Sequence, residues 1–463
     1  MKGVVGAYTH NELIDKTIFY LLYGVQHRGQ DTTGLTSGGD AGLRTWKSIG
    51  LVSSVYDNQF WGAFPHPADY VAIGVVSDDD PEKNIEPTPY EGLKTEKYEV
   101  SFALDGFLSH DAVVQESLFA FVLEGELSKN PDSFDAALEA TMREFDKGYY
   151  SLVMSVYDKK DKVSRLYAAR DCRGIRPLYM AVGDSEVFIA SESAPIGLMK
   201  FHGVEIAEEK NITPGSVIKV SKDGLEEMQL FEPRPEHCIF EWVYFARPDS
   251  VIEKQCVHMF RKRLGHALVK RYNLRELYKV DDWENQNRVL GAVPYSGRSV
   301  TDGLSEAMGV PSDEVIYKNE YLGRTFLRKN LEFRHKSSDL KHAIIVETVQ
   351  GKKVSIGDDS IVRGTVSESI AKNLRNAGAE EVDFLVSYGP IVKHCHSEPS
   401  TTHLPASDYK GLPIEEIGMG VASHLPSIKR VMYNHPDDVI DATGLRGKLC
   451  TMCMTEENPF DEK

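Results

Sequence analysis

The residues best placed to do chemistry lie together in Gly357-Asp358-Asp359-Ser360-Ile361-Val362-Arg363-Gly364-Thr365-Val366-Ser367. A short apolar run, Lys353 to Ile356, leads into two adjacent acids. A loop with Gly364, Thr365 and Ser367 follows, then a helical pattern with Ile370 and Leu374 on one face and Gly378 as a stop. A loop entering a helix offers unpaired backbone N–H groups at the positive end of the helix dipole, which suits a phosphate. Thr365 and Ser367 add hydroxyl donors. Two carboxylates cannot hold a phosphate, because like charges repel, but they suit two sugar hydroxyls. Acids followed by a phosphate cradle describe a ribose 5-phosphate site. The same spacing also suits a strand, an acidic turn and a capped helix with no ligand, and spacing leaves both open. A second candidate is Leu449-Cys450-Thr451-Met452-Cys453, whose CxxC spacing fits two sulfurs on one metal or cluster, or two ordinary buried thiols.

The surrounding chain must position these groups. Its 463 residues lead one to expect two domains. The first half carries short strand-like runs, Tyr149 to Val156, Val187 to Ala190 and Ser216 to Val220, the last ending at an Asp223-Gly224 turn. It reads as a strand-dominated α+β domain over 1–235. Pro233 and Pro235 mark the crossing to a second domain over 236–463. There Val251 to Tyr272 suits a long helix, and strand-like runs (Arg288 to Val293, Ala343 to Val346, Lys353 to Ile356, Val382 to Ser387) alternate with helical stretches. That alternation implies a mostly parallel sheet flanked by helices. A formal charge of −17 argues against nucleic-acid or anionic-membrane partners, which need basic surface. No run is apolar enough to span a bilayer or to serve as a signal peptide, so a cytoplasmic protein is expected, and its six cysteines are not expected to form structural disulfides.

Asp358-Asp359-Ser360-Ile361-Val362-Arg363-Gly364-Thr365 resembles the phosphoribosyl-diphosphate (PRPP) signature of type I phosphoribosyltransferases, specifically of the amidophosphoribosyltransferase family. Cys238 to Ser250 is similar to that family's interdomain segment, and Lys318 to Phe326 to its mobile active-site loop. Gln26 to Asp31 and Ala169 to Leu178 are similar to its glutaminase domain. The resemblance spans nearly the whole chain. It implies an α+β N-terminal-nucleophile-type sandwich followed by an α/β type I phosphoribosyltransferase domain. It also implies displacement of pyrophosphate from C1 of PRPP by an amine, with Mg2+ accompanying PRPP. Asp358 and Asp359 would hold the ribose hydroxyls, while Ser360, Arg363, Gly364, Thr365 and Ser367 would hold the 5-phosphate. Ser296, Gly297 and Arg298 would form the pyrophosphate loop, and Lys318 and Arg324 would bring positive charge to the leaving group. Tyr295 replaces the family's Asp, Glu320 stands where a basic residue is common, and Gly357 also lies at a family site position. PRPP, an amine and a nucleotide effector are the implied partners, in a homo-oligomer.

The resemblance also exposes losses. The family's catalytic Cys falls at Lys2, in Lys2-Gly3-Val4-Val5-Gly6, and no cysteine precedes Cys172. That Cys attacks the glutamine amide with its own α-amine as base. The family's oxyanion-hole Asn corresponds to Asp105, whose anion would repel a developing oxyanion. The Arg for the glutamine carboxylate falls near Ser77, and the acid for the glutamine α-amine falls near Gln115-Glu116. A degenerate glutaminase is therefore expected, with Arg28, Gly29 and Gln30 retained for the fold. Cys238, Cys395, Cys450 and Cys453 fall where iron–sulfur members place four ligands, implying a [4Fe–4S] cluster, with Zn2+ as the alternative. Cys172 and Cys256 are expected to be packed thiols. Two functions remain in play: a PRPP-dependent transferase using ammonia or another amine, and a non-catalytic PRPP- or nucleotide-sensing partner of an active enzyme.

Overall fold

Alternating apolar residues build the first unit from two sheets. A computed structural model describes residues 1–10, 14–64, 66–78, 89–109, 114–319, 342–395 and 402–460. Asp79, Asp80, Glu320, Arg324 and His396, and the loop beyond Asn319, lie outside the described residues. Contacts divide the chain into one unit of Met1–Cys238 with Ser250–Lys254, and another of Ile239–Asp249 with Gln255–Lys463.

In the first unit, β1 (Lys2–Thr9), β2 (Thr32–Gly39), β3 (Gly42–Ile49) and β4 (Asp69–Ser77) belong to one sheet. The second sheet contains β5 (Tyr90–Lys94), β6 (Tyr98–Phe107), β7 (Tyr149–Asp158) and β8 (Val163–Arg170). The chain returns to the first sheet with β9 (Tyr179–Val182), β10 (Glu186–Ala190) and β11 (Glu208–Asn211), then adds β12 (Ser216–Ser221) and β13 (Gly224–Gln229) to the second. The orders are β11-β9-β10-β1-β4-β2-β3 and β13-β12-β8-β7-β6-β5, antiparallel throughout. Period-two alternation decides which side chains meet. Val4 and Tyr8 of β1 join Ile73, Ala103, Val153 and Leu166 between the sheets. Val5 and Ala7 point the other way, onto Ile18, Leu21 and Leu22 of α1 (Ile14–Gly24). Helices α2 (Gln115–Lys129) and α3 (Phe134–Glu144) cover the outer face of the second sheet with Phe119, Leu123, Leu138 and Met142, and α4 (Ala194–Phe201) adds Ile196 and Met199 to the core beside α1. The layers are thus α/β/β/α, and β1 lies in the interior of its sheet.

In the second unit β14 (Arg288–Ala292), β15 (Lys353–Asp358), β16 (Glu381–Val386) and β17 (Arg430–Tyr433) form a parallel sheet in that order. Helix α5 (Val257–Arg271) and helix α6 (Arg298–Met308) bury Leu268, Val300, Leu304 and Met308 on one face. Helices α7 (Thr365–Asn376) and α8 (Ile414–Ser423) bury Ile370, Leu374, Ile417 and Val421 on the other. Two expectations need correction. His342–Ile344 does not enter the parallel sheet but pairs antiparallel with Ile316–Lys318. The stretch from Val251 is not one helix: Val251–Ile252 and Gln255–Cys256 are extended, separated by Glu253 and Lys254 at φ 46° and 64°. That left-handed pair cannot continue a right-handed helix, so α5 starts only at Val257. Among the described residues no helix is long and apolar enough to cross a membrane.

Candidate functional site

In a parallel sheet ligands bind beyond the carboxyl ends of the strands, where loops meet helix N-termini. Asp358 closes β15, and Asp359 follows it; both are buried. Their carbonyls accept hydrogen bonds from Ser387 N–H and Tyr388 N–H, each 2.9 Å, which fixes the pair against the chain leaving β16. The Asp359 N–H bonds to Asp358 Oδ1 at 2.9 Å, and Ser360 Oγ donates to Asp359 Oδ2 at 2.6 Å. Burial and the neighbouring Asp359 carboxylate push the Asp358 carboxyl well above the usual range. Asp358 therefore holds a proton more readily than an isolated carboxyl does.

The loop after β14 comes to the same place. Ser296 Oγ donates to Asp358 Oδ1 at 3.0 Å. Gly297 permits this approach, since a Cβ there would stand 2.0 Å from the Gly357 carbonyl oxygen. Gly357 has its own packing reason, because a Cβ on it would meet Thr301 Oγ1 at 2.2 Å. Tyr295 is 41% exposed, and its ring lies under the Arg298 guanidinium at 4.8 Å and the Lys318 ammonium at 4.3 Å. Beside this loop is a cavity of about 290 Å³ lined by Pro294, Arg298, Asp302, Asp313 and Glu314 among others.

After the acids, Gly364 has φ 77° and precedes α7; a Cβ there would meet Leu425 Cδ2 at 2.8 Å. No side chain caps this helix start. Thr365 is exposed and Ser367 buried in the first turn, and Arg363 is exposed on the loop. The geometry thus brings Ser296 to the acid pair, and Arg298 and Lys318 to one ring, with Gly364, Thr365 and Ser367 at a helix start. The role of Tyr295 as common neighbour of both cations was not anticipated; three basic or aromatic residues spread over 295–318 give no local signal.

Among the described residues, no group of three or more His, Cys, Asp or Glu side chains is gathered to hold a metal. Cys395 is exposed, while Cys453 is held 2.9 Å from the Tyr388 hydroxyl. Burial pushes the Cys453 thiol up to about 11. Cys172 is buried and Cys256 half-buried.

In the first unit Lys2 and Ser77 are cross-strand partners at the ends of β1 and β4. The Lys2 backbone N–H bonds to Asp105 Oδ1 at 3.0 Å, across from β1 to β6. The Lys2 ammonium is hydrogen-bonded and ion-paired to Glu116 in the first turn of α2. Arg28, fully buried, donates to the Lys2 carbonyl at 3.3 Å and to Glu192 Oε1 at 3.2 Å, with Asp105 Oδ2 at 3.6 Å. Arg176 lies 3.7 Å from Asp105 Oδ2. Burial alone would raise Asp105, but Arg176, Arg28, the N-terminal ammonium and the Lys2 amide hold it below the usual carboxylate range. Glu192 is likewise held low despite burial, by His27, Arg28 and the Ser250 hydroxyl. Three cations (Lys2, Arg28, Arg176) and three anions (Asp105, Glu116, Glu192) thus satisfy one another. The Lys2–Glu116 pair escaped sequence reasoning because it joins a strand end to a distant helix start.

No family model matches the chain. Its sequence is 33% identical to the amidophosphoribosyltransferase of Pyrococcus horikoshii over 416 residues, covering 85% of this chain and 83% of that protein. The amidophosphoribosyltransferase of Synechococcus elongatus is 30% identical over 488 residues, 99% of this chain and 91% of that protein. Among solved structures, the glutamine PRPP amidotransferase from B. subtilis, complexed with ADP and GMP, is similar with a TM-score of 0.80 at 24% identity, covering 99% of this chain and 97% of that one. A structure described as the allosteric regulatory enzyme of purine biosynthesis gives a TM-score of 0.81, also at 24% identity, covering 99% of this chain and 96% of that one.

Proposed function

The chain belongs to the amidophosphoribosyltransferase family, with the family's α+β N-terminal-nucleophile-type sandwich and α/β type I phosphoribosyltransferase fold, and on that premise we propose that it transfers ammonia or another amine to C1 of PRPP without hydrolysing glutamine. The observation that carries this reading is the Ser296–Asp358 hydrogen bond at the carboxyl ends of β14 and β15. It joins a loop suited to the pyrophosphate with acids suited to the ribose.

In the proposed reaction Asp358 and Asp359 accept hydrogen bonds from the ribose hydroxyls, and the start of α7 receives the 5-phosphate with Thr365 and Ser367. Arg298 and Lys318 face the pyrophosphate. The amine lone pair forms the C1–N bond as the C1–O bond breaks, pyrophosphate leaves with that electron pair, and the new ammonium loses its proton to water. Catalysis is then mostly orientation and charge stabilisation. Mg2+ bound with PRPP would neutralise charge on the leaving group.

The proposed loss of glutaminase chemistry is supported by what fills the first unit. Lys2 stands at the family's nucleophile position with its ammonium on Glu116, and Asp105 is engaged by Arg28 and Arg176. A glutamine α-amine would have to displace the Lys2 ammonium to reach Glu116. The family's cytoplasmic setting, a homo-oligomer and a nucleotide effector are carried with the proposal. The iron–sulfur reading rests on cysteine positions alone. It is carried with the proposal: protein purified without oxygen should hold about four irons per chain, and colourless protein with stoichiometric zinc would favour the alternative.

Pyrophosphate release from PRPP across ammonia and a panel of amines tests the transferase. Release with at least one amine is expected. Tight PRPP binding with no release from any amine would instead favour the sensing role, to which the replacement of the family's Asp by Tyr295 also points.

A further inference from the structure

We propose that Tyr295 is a positioning residue for the diphosphate end of PRPP, its ring gathering Arg298 and Lys318 into one anion-binding pair. The proposal rests on the transferase reading above and goes beyond it by giving the aromatic ring a task. Arg298 opens α6, whereas Lys318 ends the short strand Ile316–Lys318, so nothing in the local chain holds the two together. Both charges nonetheless lie over one ring, at 4.8 Å and 4.3 Å from its centroid. Two cations drawn to the same place repel each other, and an aromatic face is the kind of neutral group that offsets this without consuming their charge. A carboxylate in the same place would neutralise them. A guanidinium stacked on a ring also keeps its N–H edge available to phosphate oxygens.

Two further observations separate this from ordinary packing. Tyr295 is 41% exposed, so its ring does not serve the core. Its backbone has φ 69°, in the left-handed region that favours glycine, and such conformations in larger residues cluster at ligand sites. Its neighbour Ser296 bonds Asp358, so the ring is tethered next to the acid pair. The 5-phosphate cradle at Gly364 to Ser367 belongs to a different loop. Tyr295 should therefore matter for the diphosphate and not for ribose 5-phosphate.

The test compares wild type with Tyr295→Phe, Tyr295→Leu and Tyr295→Gly by calorimetry, using inorganic diphosphate, PRPP and ribose 5-phosphate. Tyr295→Phe keeps the ring and should bind all three within about twofold of wild type. Tyr295→Leu should weaken diphosphate and PRPP by about fivefold to thirtyfold, from the loss of two exposed cation–ring contacts. Ribose 5-phosphate should stay within about twofold, which also certifies the fold. Tyr295→Gly relaxes the backbone but removes the ring, and should resemble Tyr295→Leu. Unchanged or tighter diphosphate binding by Tyr295→Leu overturns the proposal. So does an equal loss for ribose 5-phosphate, or wild-type affinity in Tyr295→Gly. Wild type that binds ribose 5-phosphate but not diphosphate overturns the clamp while leaving the sugar-phosphate site standing. Wild type that binds neither PRPP nor ribose 5-phosphate overturns the transferase reading and the clamp with it.

Discussion

Asp105→Asn should weaken the protein. Asp105 is buried between the Arg28 and Arg176 guanidinium groups, at 3.6 Å and 3.7 Å, and accepts the Lys2 N–H at 3.0 Å. Removing one member of a buried charge network costs about 3–5 kcal/mol, mostly because the remaining charges lose a partner. Arg28 would keep Glu192 at 3.2 Å, and an Asn oxygen could still accept the Lys2 amide, so the lower end applies, about 3 kcal/mol. Hydrogen exchange can read this in β1 and β6 separately from the second unit, as a fall in protection of about a hundredfold. The sign with pH follows from the depressed carboxyl. Its contribution is fully present above the unfolded value near 3.9 and is lost as pH falls through the lower folded value. The gap between wild type and variant should therefore be full at pH 7 and narrow below about pH 4. A change under about threefold at pH 7, or a gap that widens in acid, would refute the network.

Glutamate release from glutamine should be absent with or without PRPP, and Lys2→Cys alone should not create it, because Asp105 and Ser77 remain; turnover within about a hundredfold of an ordinary glutaminase rate would contradict this. Asp358→Asn or Asp359→Asn should lower PRPP affinity by about one to two orders of magnitude through weakened charge-assisted hydrogen bonds, measured by calorimetry. Because Asp358 is held protonated more readily than an ordinary carboxyl, ribose hydroxyls that need acceptors should drive a proton off. PRPP affinity should then rise with pH, and calorimetry in buffers of different ionisation heat should show proton release; uptake would speak against the assignment. Gly364→Ala forces a side chain to φ 77° and against Leu425, and should lose about 1–2 kcal/mol of stability and most ribose 5-phosphate affinity, checked by thermal unfolding and calorimetry.

Much of the second unit was legible because parallel strands buried on both faces read as apolar runs: the expected Arg288 to Val293 and Val382 to Ser387 are β14 and β16 within a residue. The stop at Gly378 is also seen, at φ 95°. β17 was missed, since Arg430-Val431-Met432-Tyr433 is too short to declare a period. Spacing showed Asp358 and Asp359 as a pair but not the raised Asp358 carboxyl, which arises from burial by elements distant in sequence. The same limit hid Lys2 on Glu116 and the two cations on Tyr295, because charge pairing across elements leaves no periodic trace. In the tail, CxxC spacing was visible, but spacing does not say what each thiol meets; Cys453 lies beside the Tyr388 hydroxyl and near Cys395.

The interior position of β1 bears on how this protein is made. Its two neighbours are β4, ending at Ser77, and β10, beginning at Glu186. At synthesis rates of about 5–20 residues per second, roughly 10–40 s would separate the emergence of β1 from that of its second partner. During that wait Val4, Val5 and Ala7 lack half their sheet, and Arg28 lacks Glu192. Such delayed closure is slow and prone to association between nascent chains. Yield should therefore depend on holdase chaperones during translation more than on the stability of the finished fold.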